Sequence, residues 1–140
     1  MKAAVQWVND VSFVVESGSG HALVIDGAPE YGGRNIGPRP MELLLMGLGG
    51  CAAFDVVTIL KKARQAVSDV RAGLQADRAD AIPAVFTAIH IHFVVSGKDL
   101  KESQVKKAIE LSAEKYCSAS AMLSAGGVKI THDYEIVQVG

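Results

Sequence analysis

The stretch from Leu43 to Leu60 constrains this chain most, because its side chains are apolar on almost every face of a helix. A helix without a polar stripe is not stable on a surface and has to be enclosed. Pro40 suits the first helical position, where its missing N–H costs nothing, and Glu42 lies near the positive end of the helix dipole. The helix is therefore predicted from Pro40 to about Arg64. The uncharged run Leu43 to Phe54 stops at Asp55, short of the roughly 18–20 residues that cross a bilayer, so a buried helix is expected and not a membrane span. Gly47, Gly49 and Gly50 fall in its middle and each costs up to about 1 kcal/mol relative to alanine. Something is expected to approach that backbone closely.

Strand signals surround this helix. Ala3, Val5 and Trp7 alternate up to Asn9-Asp10, Val11, Phe13 and Val15 up to Ser17-Gly18, and Ala22 to Ile25 runs up to Asp26-Gly27. They read as a meander of three short strands. Asp26 to Arg39 is a glycine- and proline-rich loop without periodicity. After the helix, Val70 to Asp77 alternates, Asp80 to Pro83 forms a hairpin connection, and Val85 to Val95 is the longest strand candidate. Asp99 with Glu102 resembles a capping box before a helical stripe of Val105, Ala108, Ile109, Ser112 and Tyr116. A short helix from Ser118 to Ser124 and a strand through Val128, Ile130, Tyr134 and Ile136 complete the chain. The pattern is α+β. One domain over residues 1–140 is expected. Six short strands cannot cover a helix apolar all round, which implies a second copy and hence a homodimer.

With 14 basic and 15 acidic side chains and a net charge of -1, the chain lacks a basic stripe for nucleic acid, and a neutral or apolar substrate is expected. The N-terminus has no signal-peptide h-region, so the expected location is cytoplasmic. In that compartment the two cysteines, Cys51 and Cys117, do not suggest a structural disulfide; they are either two small buried side chains or a redox pair. They are also too few and too far apart for a zinc knuckle.

The segment Pro40-Met41-Glu42-Leu43-Leu44-Leu45-Met46-Gly47-Leu48-Gly49-Gly50-Cys51, followed 66 positions later by Cys117 after a helix, resembles the OsmC/Ohr superfamily, and within it a branch of YhfA-like proteins. The likeness covers nearly the whole chain. It implies an OsmC-like fold: N-terminal antiparallel strands, a long buried central helix, a second sheet segment with helices, and an intertwined homodimer with interfacial sites. It also implies a peroxidase that reduces organic hydroperoxides, with hydrogen peroxide as a further substrate, in oxidative-stress defence. Cys51 would then attack the peroxide and become a sulfenic acid, Cys117 would resolve it to a disulfide, and an external dithiol would restore the pair without any cofactor.

Several residues depart from that pattern. Where the family carries a glutamate paired with an arginine, this chain has Met41; the neighbouring Glu42, nine residues before Cys51, points about 180° away on a straight helix. Glu42 thus reads first as a helix-start residue and second as a positioning group. Asp55, one turn beyond Cys51, raises the cost of a thiolate, so a cation has to offset it. Arg39 and Arg34, in the loop before the helix, are the candidates, each also readable as a solvated loop residue. These departures favour the alternative, an OsmC-like protein that binds a small hydrophobic ligand or senses oxidation without turnover.

His90 and His92 share a face of a strand together with Phe86, Ala88 and Val94. With no third ligand near in sequence they read as partly buried histidines before a metal pair. His132 reads as a hydrogen-bonded core residue and His21 as a turn residue. No glycine loop suited to a nucleotide phosphate is present.

Overall fold

A computed structural model describes all residues from Met1 to Gly140. They form two compact units, residues 1–44 and 45–140.

In the first unit the three alternating runs form β1 (Ala3–Asn9), β2 (Ser12–Ser17) and β3 (Ala22–Asp26), an antiparallel meander in that order. The loop that follows is organised by Asp26, which is buried. Its carboxylate accepts from Ser12 Oγ (3.0 Å) and from the backbone N–H groups of Gly27 (2.9 Å), Arg34 (2.7 Å) and Ile36 (3.4 Å). The loop has no ladder of its own to satisfy these donors, and one side chain supplies the acceptors. Gly37 is needed here because a Cβ would run into the Val24 carbonyl.

The helix α1 (Pro40–Lys62) starts as expected. Glu42 Oε1 accepts from the backbone N–H of Arg39 at 2.9 Å, which satisfies one of the donors a helix leaves open at its start. By length and apolar composition α1 would suffice to cross a bilayer, which corrects the length argument that stopped at Asp55. Its Leu48, Ala52, Val56 and Leu60 are instead buried within the protein.

The second unit has β4 (Ala66–Arg78) antiparallel to β5 (Phe86–Lys98), and β6 (Lys129–Gln138) parallel to β5. A parallel neighbour needs a crossover, and α2 (Glu102–Leu111), a π turn (Ser112–Tyr116) and α3 (Ser118–Ala125) supply it. Ile89, Ile91, Phe93 and Val95 alternate inward along β5 and are buried, as are Val105, Ala108 and Ile109 of α2. Each large side chain among them contributes about 1.5–3 kcal/mol by leaving water.

Four expectations change. Enclosure of α1 on every side does not hold within one chain: Leu44, Met46 and Phe54 are 53%, 59% and 70% exposed. The glycines divide: a Cβ on Gly49 would come within 2.7 Å of Leu74 Cδ1, while Gly47 and Gly50 have nothing within 4 Å. The capping box is absent, since Lys101 is the N-cap of α2, makes no side-chain cap, and Asp99 adopts a turn conformation with φ 50°. Finally, the helical stripe to Tyr116 is an α-helix only to Leu111, then widens into the π turn.

Candidate active site

Cys51 is half-buried on α1, and Asp55 follows one helical turn later, so both side chains leave the same face. Leu74 of β4 passes close to Gly49 on this stretch of α1, leaving no space for a Cβ there. Cys117 arrives from the far end of the crossover. The π turn closes with the Cys117 N–H donating to Ser112 O at 2.8 Å, and Cys117 then takes an extended conformation (φ -76°, ψ 102°) as the N-cap of α3. A π turn inserts one extra residue per turn and re-aims whatever follows it, a device common at functional sites.

The result is a three-way convergence: Sγ of Cys51, Sγ of Cys117 and a carboxylate oxygen of Asp55 all lie within 4.8 Å of one another. Cys117 is only 3% exposed. Burial pushes its thiol above the ordinary range; Ser120 works against that shift through its side chain and through its N–H, which donates to Sγ at 3.4 Å, and the neighbouring Cys51 adds to it. Ser112, buried in the π turn, donates to Asp55 Oδ2 at 3.1 Å and reaches Ala52 O at 3.3 Å. No Lys, Arg or His lies within ion-pair distance of Asp55. The two thiols are thus close neighbours in one chain, and two sulfurs with a carboxylate also make a donor set for a thiophilic cation.

The sequence candidates separate accordingly. Cys51 and Cys117 are brought together, and Asp55 joins them on the expected face. The Arg39 guanidinium bonds Asn35 Oδ1 (2.8 Å) and Gly37 O (3.3 Å), and Arg34 bonds Asn9 Oδ1 (2.7 Å) with Asp10 at 3.9 Å. Glu42 is engaged in the helix start. What sequence reasoning missed is Ser112, which read as one member of a helical stripe.

A family model described as OsmC-like protein matches residues 32–133. The chain belongs to the OsmC-like family. Protein YhfA of Escherichia coli K12 is 47% identical over 137 residues, 98% of each chain. Among solved structures, a hypothetical protein from Aquifex aeolicus VF5 superposes with a TM-score of 0.80 at 30% identity over 96% of both chains. An organic hydroperoxide resistance protein OsmC from Legionella pneumophila gives 0.71 at 18% identity, over 99% of this chain and 96% of that one, a likeness of fold. Two sheets and three helices, in an α+β order, are thus the OsmC-like arrangement here.

Elsewhere on this OsmC-like chain, His90 and His92 are partly buried on the sheet, as expected, although less so than Phe86. A bulge between β4 and β5 lies between them and Phe86, which is buried, while both imidazoles are over two-fifths exposed. His90 Nε2 and His92 Nδ1 both contact Asp133 Oδ1, at 2.9 and 2.7 Å, and Thr131 meets the other nitrogen of His90 at 2.7 Å. The bond to Asp133 raises the His92 pKa and those to His92 and His90 lower that of Asp133. Asp133 is far away in sequence and is delivered by the parallel register of β6. His132 is half-buried without a side-chain hydrogen bond, and His21 sits at a turn, its ring beside Ser19 Oγ at 3.2 Å.

Proposed function

We propose that this protein is a thiol-dependent peroxidase acting on organic hydroperoxides, with Cys51 as the attacking residue and Cys117 as the resolving one. The observation that supports it most is the meeting of both sulfurs within 4.8 Å although Cys117 lies 66 positions after Cys51. The Cys51 thiolate attacks one oxygen of the hydroperoxide, the O–O bond breaks, and the departing alkoxide takes a proton to leave as an alcohol. Cys51 is then a sulfenic acid. Cys117 attacks that sulfur, hydroxide leaves as water, and a disulfide remains. An external dithiol reduces it by exchange and is itself oxidised.

Half-burial of Cys51 beside the buried Ala52 and Leu48 suits an apolar substrate. The uncovered apolar residues of α1 support a homodimer as the working form, and a cytoplasmic setting suits reduced thiols. The hydroperoxide-resistance proteins of similar fold fit this reading. Asp55, uncompensated beside the thiols, favours a second one, an oxidation sensor or ligand-binding protein that does not turn over.

Steady-state consumption of cumene hydroperoxide with dihydrolipoamide as reductant separates the two. Turnover that vanishes in Cys51→Ser supports the peroxidase; a single round of oxidation without turnover supports the sensor.

A further inference from the structure

We propose that Cys51, Cys117 and Asp55 form a binding site for a zinc-type divalent cation, taken up by the reduced protein and released when the two cysteines join. The three donor atoms lie within 4.8 Å of one another. Around a tetrahedral zinc with Zn–S of about 2.3 Å and Zn–O of about 2.0–2.2 Å, such atoms stand roughly 3.5–3.8 Å apart. Closing that gap takes about 1 Å of side-chain movement.

The surroundings are those of a ligand set. Ser112 holds one oxygen of Asp55 at 3.1 Å, leaving the other free. The Ser120 N–H points at Cys117 Sγ at 3.4 Å, where it favours a thiolate. Such supporting hydrogen bonds orient ligands around bound metals. Asp55 carries a carboxylate without any cation within ion-pair distance, and a divalent ion would offset it together with both thiolates. Three protein ligands leave a fourth position. A cavity of about 340 Å³ lined by Asp55, Thr58, Ile59, Lys62, Leu111 and Tyr116 opens beside Asp55 and has room for water.

Binding exchanges two thiol protons for one cation, so the protons leave to solvent. A disulfide consumes both sulfur ligands, so metal and oxidation exclude each other. The inference needs only reduced thiols. A protein inert to hydroperoxides that still binds metal upholds it, and a peroxidase that binds none refutes it alone.

The test is an anaerobic titration of the reduced full-length protein with Zn²⁺ by calorimetry and with Co²⁺ by absorption. One ion per chain, release of about two protons and a thiolate-to-cobalt charge-transfer band are expected. Asp55→Asn, its fold checked by circular dichroism, should weaken binding at least about tenfold. The disulfide form and the double variant Cys51→Ser/Cys117→Ser should lack the band. Absence of the band in the reduced wild type, one ion per two chains, unchanged affinity in folded Asp55→Asn, or Zn²⁺ binding that survives loss of both cysteines and thus resides elsewhere, as at His90 and His92, would each overturn the proposal.

Discussion

Ser112 donates its hydroxyl to Asp55 Oδ2 at 3.1 Å, which ties the π turn that leads to one cysteine to the helix that carries the other. Ser112→Ala removes that tie at a buried position and should cost about 1–3 kcal/mol of stability. Urea unfolding of the reduced protein measures it. A loss near zero would mean that the bond does not hold the two segments together.

Gly49 and Gly50 of α1 should respond differently to a larger side chain. At Gly50 nothing lies within 4 Å of a new Cβ, so in a single chain the substitution should stabilise by roughly 0.5–1 kcal/mol. At Gly49 the same gain is opposed by the approach of Leu74 Cδ1, and Gly49→Val should destabilise by about 1–3 kcal/mol through overpacking. Thermal melts of the two variants at low protein concentration check the order.

Phe54 is 70% exposed on α1, and a homodimer would cover it. Sedimentation of the wild type should give twice the 14.7 kDa of one chain, and Phe54→Asp should shift the protein towards monomers. A monomeric wild type would contradict the dimer.

Much of this fold was legible because it rests on periodicity and punctuation. The alternating runs before Asn9, Ser17 and Asp26 became β1 to β3, and Pro40 started α1. What stayed hidden depends on contacts distant in sequence. Asp26 read as a turn residue, yet its role comes from four donors spread from Ser12 to Ile36. The π turn left no pattern, because one extra residue in a turn hardly disturbs a helical stripe. Cys51 and Cys117 were visible through a resemblance, and Asp55 through helix geometry; that Ser112 would fasten Asp55 required the crossover itself.

Asp26 also predicts a pH dependence. The Arg34 N–H, helped by Ser12, Ile36 and Gly27, holds its carboxyl below the ordinary value of 3.8 against the opposing effect of burial. A carboxyl with a lowered folded pKa contributes stability that is present above its unfolded pKa and lost as pH falls through the folded one. The wild type should therefore lose stability below about pH 4, and Asp26→Asn should be less stable at neutral pH but show a smaller acid loss. Melts at pH 7 and pH 3 compare them; parallel losses would assign the acid sensitivity to other groups.

Whether the two sulfurs act as one redox unit is decided by intact mass after one equivalent of cumene hydroperoxide is added to the reduced protein. Rapid loss of two hydrogen atoms within a single chain is predicted, with Cys117→Ser instead trapping an oxidised Cys51. Slow or substoichiometric oxidation, or a linkage formed only between chains, would contradict it.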